Sequence, residues 1–309
     1  MAEIDSDPTN VVMYLAYGHE DIFHQTLYSI LSLLHVCGVG LDGYRVVVYT
    51  DQPARFATLP VQTVELSPEL LQIWLGDSDY VHRRKTCAIA DAGKRFRGKI
   101  AFIDSDTWFI TSPQRIFRRV APGRACLHIC EGFIRQTGTP FDNALAQQLD
   151  ATDVQLSTGE RVLLNNRTQM WNTGVIAFDH ADLNRFTTAL ELSDAIWRTA
   201  DPVGAYGRKI HHAEQFATWY AFRDCQLSEA ADCVFHYWPA EAKRVFGAVL
   251  PRLVDKGLAD LGVANLADIY AKRYRERGLR ARLSTAKMII RRVAQKMGIP
   301  VTGARRNVR

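Results

Sequence analysis

The chain has 309 residues, 47% of them hydrophobic and 23% charged, which are ordinary values for a soluble globular protein and exclude collagen-like and low-complexity chains. Its six cysteines include no Cys-x-x-Cys pair, which argues against a zinc knuckle and against a secreted disulfide framework. The net charge of +5 conceals an asymmetry, because residues 271–309 carry a net charge of +12 and the other 270 residues a net charge of −7. The polar N-terminal residues and the shortness of every apolar run predict a soluble, cytoplasmic protein.

Strand and helix patterns alternate in the first third of the chain. Short apolar and β-branched runs predict four strands, at 11–18, 44–51, 61–66 and 99–106. Helical spacing of apolar residues predicts three helices between them, at 21–36, 68–75 and 83–96. Strands separated by helices form βαβ units, which predicts a mostly parallel sheet with a ligand crevice at the carboxyl ends of its strands.

The middle of the chain is less regular. Strands are predicted at 125–130 and 175–178, and loops at 137–140 and 157–160. Helical spacing returns at 181–199 and 214–222, followed by a short aromatic strand at 233–238. We therefore predict one α/β domain at 1–256, with halves at about 11–110 and 111–256, and a basic helical extension at 257–309.

The clearest chemical pattern is Asp104-Ser105-Asp106, at the end of the predicted strand 99–106. Positions i and i+2 of a strand face the same side, so the two carboxylates are expected to point together. Two such oxygen ligands suit Mg²⁺ or Mn²⁺, with water and phosphate completing the coordination. A strand that simply ends in two solvated acids is the alternative interpretation.

Other polar residues follow one another along the chain in a suggestive order. They are Lys85 in a predicted helix, Asn172-Thr173-Gly174 before an apolar strand, Glu214-Gln215 at a helix start, His236 in the aromatic strand, and Lys243. Each also has an ordinary structural interpretation: a solvated helix face for Lys85, a turn for Asn172, a first-turn acid for Glu214 and a core histidine for His236. Their order along the chain favours the functional interpretation.

In that order, these residues resemble the retaining glycosyltransferases of the GT-A fold, especially family 8, over about three quarters of the chain. The resemblance implies a Rossmann-like GT-A sheet and transfer of a sugar from a UDP-sugar donor to a glycan or lipid-linked acceptor. It also implies a bound Mn²⁺ or Mg²⁺ with Asp104, Asp106 and His236 as its ligands.

The same resemblance assigns roles to the remaining positions. It implies that the donor is bound by Ala16, Tyr17, Gly18, Asp51, Lys85, Ser105 and Lys243. Asn172, Thr173 and Gly174 would face the transferred sugar and the acceptor, and Gln215, Glu214 and Lys85 would act on the reacting centre. An inverting reaction would instead need a carboxylate base, which Glu214 could supply.

The sequence also departs from the family pattern. Glu214 replaces the expected Asp, and the segment after His236 lacks a Gly and has its Lys, Lys243, one position late. These differences indicate a distant branch of the family.

Two alternative functions remain at this point. Asp104-Ser105-Asp106-Thr107 resembles the nucleophile motif of haloacid dehalogenase phosphatases, although that motif needs Thr where Trp108 stands and usually occupies the first strand.

The second alternative is a binding protein that acts through its basic tail. Apolar residues recur there every three or four positions, at Leu279, Leu283, Ala286, Ile290, Val293 and Met297. A basic amphipathic helix of this kind suits an anionic membrane surface, which predicts a peripheral protein at the inner face of the membrane. The same helix could instead pack on the domain through Leu283 and Ile290. No nucleic-acid motif accompanies the charge, so we expect no nucleic-acid partner.

Overall fold

The computed structural model describes residues 10–38, 43–133, 153–164, 168–199 and 212–238, with single positions at 41, 149, 243, 247, 250, 251 and 254. The chain forms two compact units, Met1–Ala259 and Asp260–Arg309, and every described residue lies in the first. The predicted basic helix and the predicted loop at 137–140 therefore lie outside the described residues. Within these described ranges, no helix is long and apolar enough to cross a membrane.

The secondary structure of the described segments alternates as the sequence predicts. The strands are β1 (Asn10–Ala16), β2 (Tyr44–Thr50), β3 (Gln62–Glu65), β4 (Lys99–Ile103), β5 (Thr107–Phe109), β6 (Arg124–Phe133), β7 (Asp153–Gln155), β8 (Arg161–Leu163), β9 (Gln169–Asp179), β10 (Gln226–Glu229) and β11 (Val234–His236). The helices are α1 (Glu20–Cys37), α2 (Pro68–Leu75), α3 (Arg83–Arg95), α4 (Gln114–Phe117), α5 (Arg185–Thr199) and α6 (Ala213–Ala221). Short 3₁₀ turns occur at Pro53–Phe56 and His180–Asp182.

Seven strands form the central sheet, in the order β10-β6-β9-β4-β1-β2-β3. Strands β3, β2, β1 and β4 run parallel to one another, β9 runs antiparallel to β4 and β6, and β10 runs parallel to β6. The predicted mixed, mostly parallel α/β sheet is confirmed. Because β1, β2 and β4 are parallel, the residues that follow them lie along one edge of the sheet.

The core forms where helices cover the parallel strands. One buried cluster joins Val11 and Met13 of β1 to Val47 and Tyr49 of β2 and to the α3 residues Ala88, Ile89 and Ala92. Strands buried on both faces read as continuous apolar runs, which is why β1 and β2 are recognisable in the sequence. On α3 the buried stripe begins one turn earlier, at Lys85. Packing of α3 on the sheet therefore buries Lys85.

Two local predictions are wrong in detail. The strand predicted at 99–106 ends at Ile103, and Asp104 to Asp106 form a bend before β5. The Thr107 hydroxyl donates to the Asp104 carbonyl at 2.7 Å, which turns the chain there. The segment Asn172–Gly174, predicted as a turn, lies inside β9. Asn172 pairs with Ile129 of β6, and the Gly174 carbonyl accepts from the Asp104 N–H at 2.9 Å, so these contacts hold the polar stretch extended and outweigh its turn propensity.

Candidate functional site

Three side chains that could hold a metal ion meet at one end of the central sheet. Asp104 and Asp106 lie in the bend between β4 and β5, and His236 is the last residue of β11. Strand β11 pairs with β5 so that His236 lies opposite Thr107. One ligand atom from each of the three side chains lies within 4.8 Å of the other two. The alignment of the two aspartates thus comes from the bend, rather than from alternation along a strand.

The spacing and chemistry of this cluster fit one divalent ion. Ligand atoms about 2.1 Å from a small divalent ion are at most about 4.2 Å apart, so shifts of a few tenths of an ångström would close the site. Carboxylates suit Mg²⁺ and Mn²⁺, and imidazole suits the transition metals. The mixed set of Asp104, Asp106 and His236 therefore fits a divalent cation.

Asp106 is 4% exposed and lies between His236 and Lys243. Its Oδ1 is 3.1 Å from His236 Nε2, and its Oδ2 is 2.7 Å from Lys243 Nζ. Burial opposes the charge of this carboxylate, but the two partners outweigh burial and hold its pKa far below the usual range. Asp106 is therefore ionised at neutral pH and available as a ligand.

A chain of buried hydroxyl groups holds the bend that carries the aspartates. The Thr107 hydroxyl donates to the Asp104 carbonyl, so Ser29 must donate to Thr107 at 2.9 Å, and Tyr14 to Ser29 at 3.2 Å. The Asp104 N–H donates to the Gly174 carbonyl at 2.9 Å. The bend is thus tied to β1, α1 and β9. The sequence analysis did not identify these hydrogen bonds, although a serine on the apolar face of α1, Ser29, is a signal for them.

Lys85 is 7% exposed, and its ammonium group contacts the edge of the metal cluster. Its Nζ donates to the Thr173 carbonyl at 2.7 Å and to Asp104 Oδ2 at 3.2 Å. Glu214 Oε1 lies 3.5 Å away. Burial disfavours the charged form, but Asp104 and Glu214 outweigh it and raise the pKa of Lys85. The solvated-helix interpretation of Lys85 is therefore wrong, and the residue is a fixed internal cation.

Glu214 lies in the first turn of α6 and is 4% exposed. Its carboxylate accepts a hydrogen bond from the Thr173 hydroxyl at 3.0 Å and faces Lys85, while its backbone N–H donates to the Tyr80 hydroxyl at 2.9 Å. Burial raises the pKa of this carboxyl group. Gln215 follows it, and Gln215 Oε1 has no hydrogen-bond partner among the described residues.

The predicted donor-binding residues at the ends of β1 and β2 form a corner. The Gly18 N–H donates to Asp51 Oδ2 at 3.1 Å, and Gly18 has a φ of +84°, which favours glycine. Asp51 Oδ1 is buried without a hydrogen-bond partner in the part of the chain that the structure describes. Ala16 pairs with Thr50 in the ladder just before the corner.

Two side chains that the sequence analysis did not select flank these donor-side positions. The guanidinium group of Arg84 lies 5.3 Å from the centre of the Tyr17 ring. Gln25 Oε1 accepts a hydrogen bond from the Ser105 hydroxyl at 3.1 Å. Both lie on helices whose periodicity is visible in the sequence, but only the packing brings them to this edge.

His128, in β6, is a third residue that sequence reasoning missed. It is 3% exposed, its ring centre lies 5.2 Å from that of His236, and its Nε2 donates to the Val234 carbonyl at 3.1 Å. Burial, reinforced by the nearby His236, lowers the pKa of His128 to about 4. The imidazole is therefore neutral at neutral pH.

This burial predicts a pH-dependent stability. The unfolded chain protonates His128 below about pH 6.5, whereas the folded protein does so only below about pH 4, so stability is lost as the pH falls between these values. The loss attributable to this group is about 3 kcal/mol. Urea unfolding at pH 6.5 and at about pH 4 should show a smaller loss in the free energy of unfolding for His128→Gln than for the wild type. His35→Gln, at an exposed position, should behave as the wild type; equal losses for all three proteins would contradict the prediction.

Comparisons with models of protein families and with curated protein sequences found no match. Among solved structures, the chain is similar to the galactosyltransferase LgtC in complex with donor and acceptor sugar analogues, with 12% identity and a TM-score of 0.45, over 80% of this chain and 95% of that one. It is also similar to the bifunctional glycosyltransferase WbbM (13% identity, TM-score 0.45), over 74% of this chain. A third similar structure is the glycosyltransferase GlyE of Streptococcus pneumoniae TIGR4 (8% identity, TM-score 0.44), over 82% of this chain. The chain spans 40% of WbbM and 64% of GlyE.

Proposed function

We propose that this chain is a metal-dependent glycosyltransferase of the GT-A fold. It transfers a sugar from a UDP-sugar to a glycan or lipid-linked acceptor, with retention at the anomeric carbon. The observation that carries the proposal is the cluster of Asp104, Asp106 and His236 with Lys85 and Lys243 beside it. Ligands for a divalent cation flanked by two ammonium groups suit a substrate that brings a diphosphate with it.

The charges of this cluster match the reaction. Cleavage of the bond between a sugar and a nucleotide diphosphate places negative charge on the departing diphosphate. A divalent cation held by Asp104, Asp106 and His236 would supply Lewis-acid neutralisation of that charge. Lys85 adds a positive charge that is already fixed by Thr173 and its acidic partners, and such preorganised charge stabilises a transition state without reorganisation.

The corner between β1 and β2 supports binding of the nucleoside part of the donor. Asp51 Oδ1 is a buried acceptor without a partner in the described segments, and Gly18 allows close approach of a ligand to the backbone. Hydroxyl and N–H groups are what such an acceptor requires. A ribose supplies hydroxyl groups, and a nucleobase supplies N–H groups.

The contacts of Glu214 and Gln215 favour retention over inversion. The Glu214 carboxylate is buried and already bound to Thr173 and Lys85, so it is poorly placed to accept a proton from an acceptor hydroxyl. Gln215 Oε1 has no partner in the described part of the chain, so it is the group available to stabilise an oxocarbenium-like centre. In a retaining reaction the departing phosphate can accept the acceptor proton.

The proposal predicts that UDP binds only in the presence of a divalent metal. Isothermal titration calorimetry of the full chain with UDP should give binding in Mn²⁺ and none in EDTA. A screen of UDP-sugars by thermal shift in Mn²⁺ would then identify the donor, because a ligand at about 100 times its Kd stabilises a protein by about 2.7 kcal/mol. Equal UDP affinity with and without metal would contradict the proposal.

A variant at Lys243 makes the same calorimetric test more specific. The Lys243 ammonium group lies 2.7 Å from Asp106 Oδ2 and so competes with a cation for this carboxylate, and the lysine side chain is about half exposed, so it can swing away. Lys243→Ala should therefore bind Mn²⁺ up to about fivefold more tightly than the wild type in the absence of UDP. The same variant should bind UDP more weakly in Mn²⁺, because a diphosphate loses its second ammonium partner. Effects of the same sign on both ligands would contradict this role.

Neither alternative function gains support from the geometry. Trp108, which stands where the phosphatase motif needs Thr, is 5% exposed and stacks on Phe235 with ring centres 4.4 Å apart. Asp104 follows β4, rather than the first strand, and is engaged by Lys85. The residues of the basic tail lie outside the described ranges, so the second alternative rests on sequence alone.

We also propose that residues 278–309 attach the enzyme to an anionic membrane surface on the cytoplasmic side, near a lipid-linked acceptor. The support is the thirteen Lys and Arg residues of 271–309 and the apolar stripe between them. Each basic residue near such a surface adds about 1 kcal/mol, and this attraction is screened by salt. Removal of 278–309 should release the protein from anionic vesicles in a sedimentation assay but leave UDP-sugar hydrolysis intact. Unchanged vesicle binding would exclude the tail as the anchor.

A further inference from the structure

The imidazole of His236 is held between two strands, with a different neighbour at each ring nitrogen. Nδ1 lies 2.9 Å from Asn172 Oδ1 on β9, and Nε2 lies 3.1 Å from Asp106 Oδ1. The ring is 7% exposed, so it cannot turn without displacing these partners. A histidine binds a metal through the nitrogen that lacks a proton, so the group that bonds the other nitrogen decides its ligand capacity.

The backbone of Gly174 determines how the amide of Asn172 is oriented. The Gly174 N–H can only donate, and it lies 2.9 Å from the same Asn172 atom that contacts His236. That atom must therefore be the amide oxygen, which leaves the amide nitrogen on the side of Glu131 Oε1, 3.5 Å away. Because an amide oxygen only accepts, His236 must carry a proton on Nδ1.

This proton position directs the other nitrogen of His236 to the metal cluster. Because Asn172 holds the proton on Nδ1, Nε2, the atom that faces Asp106, is the ring nitrogen left to give its lone pair to a cation. A ring held as the opposite tautomer would present an N–H to the cluster and could not bind a cation there. Asn172 thus selects the form of His236 that can act as a ligand.

Gly174 has a spatial role in the same arrangement. Its φ lies outside the left-handed region, so backbone conformation does not require glycine here. A Cβ at this position would overlap Nδ1, Cγ and Cε1 of His236. Glycine is needed because the imidazole packs against the backbone of β9 at this point.

We propose that Asn172 is a positioning residue that holds His236 as the Nδ1–H tautomer, with Gly174 providing the space for the ring. Strand β9, which carries both residues, thereby directs Nε2 of His236 to a divalent cation bound by Asp104 and Asp106. The inference rests on the proposed function for its metal site. It gives Asn172 a role beside the metal site, whereas the resemblance implies that Asn172 contacts the sugar and the acceptor.

The test measures metal binding in the full chain without nucleotide. Mn²⁺ affinity is obtained from the electron paramagnetic resonance signal of the free ion, and ligation by His236 from the imidazole nitrogen coupling of bound Mn²⁺. Asn172→Leu, similar in size but without an acceptor, should bind Mn²⁺ about 10- to 100-fold more weakly, with a reduced nitrogen coupling. Asn172→Asp, which keeps an acceptor oxygen for Nδ1–H, should bind Mn²⁺ about as tightly as the wild type. Ser193→Ala, which removes a buried hydroxyl group on α5, is the matched control and should change neither readout.

The outcomes separate this inference from the proposed function. A wild type that does not bind Mn²⁺, or binds it without nitrogen coupling, overturns both the proposed metal site and the role of Asn172. Wild-type affinity and coupling in Asn172→Leu overturn the role of Asn172 and leave the metal site standing.

A second measurement needs no variant at Asn172, in case Asn172→Leu does not fold. Nitrogen-15 NMR of the wild type loaded with diamagnetic Zn²⁺ reports the protonation of each ring nitrogen, and His236→Gln identifies the signals by their loss. A protonated Nδ1 supports the inference, and an unprotonated Nδ1 overturns it.

Discussion

Asp106→Asn should lower sugar transfer about 10²- to 10³-fold, the scale on which removal of a preorganised electrostatic partner acts in other active sites. The substitution keeps the size of the side chain but removes the ligand charge that the structure places between His236 and Lys243. An amide oxygen is a weaker ligand for a divalent cation, so Mn²⁺ affinity should fall together with turnover. Transfer assays over a range of Mn²⁺ concentrations, with thermal unfolding to verify the fold, measure both effects.

Asparagine is a better test than alanine because Asp106 is buried. Removal of the whole side chain would leave a cavity and two basic groups without a partner, and would confuse folding with catalysis. Asp232→Asn is the control, since this carboxylate also has basic partners, Arg119 at 2.6 Å and Arg115 at 3.3 Å, but is not part of the metal cluster. Asp232→Asn should be as active as the wild type. Activity within tenfold of the wild type in Asp106→Asn would show that the metal assignment is wrong.

Lys85→Met should reduce both the stability and the activity of the protein. Asp104 and Glu214 would lose their shared cation, and breaking a buried ion pair in this way costs about 3–5 kcal/mol. Activity should fall about 10²- to 10³-fold, because the positive charge beside the departing diphosphate is lost. Urea unfolding and transfer kinetics give the two quantities separately.

A double variant separates the two roles of Lys85. In Lys85→Met combined with Glu214→Gln, the remaining carboxylate that faces the missing ammonium is Asp104, which is partly exposed to solvent, so most of the lost stability should return while activity stays low. Glu214→Gln alone should lose much less activity than Lys85→Met, provided that Glu214 is a counter-ion rather than a base. Lys94→Met, at an exposed position of α3, is the control and should change neither quantity. Recovery of activity together with stability in the double variant would show that Lys85 is purely structural.

The sequence was sufficient to predict the alternation of strands and helices and the parallel half of the sheet. Strands β1, β2 and β4 are buried on both faces, and such strands leave continuous apolar runs that need no knowledge of their partners. The Asp-x-Asp pair could be found for a similar reason, since its two carboxylates are close in the chain and lie next to a recognisable strand end. Local patterns are readable when the physical cause of the structure is also local.

Only the tertiary structure decided how the site residues act on one another. The turn expected at Asn172 became part of β9 because Asn172 pairs with Ile129 of β6, and pairing across a sheet is not encoded near the residue itself. Lys243, one position later than in the family pattern, contacts Asp106 at 2.7 Å, which its place in the sequence does not predict. Glu214 became a partner of Lys85, although a helix start gives no sign of what it faces. These contacts join segments about 40 to 140 positions apart, and their energies depend on burial and distance, which are properties of the packed chain rather than of any local stretch of sequence.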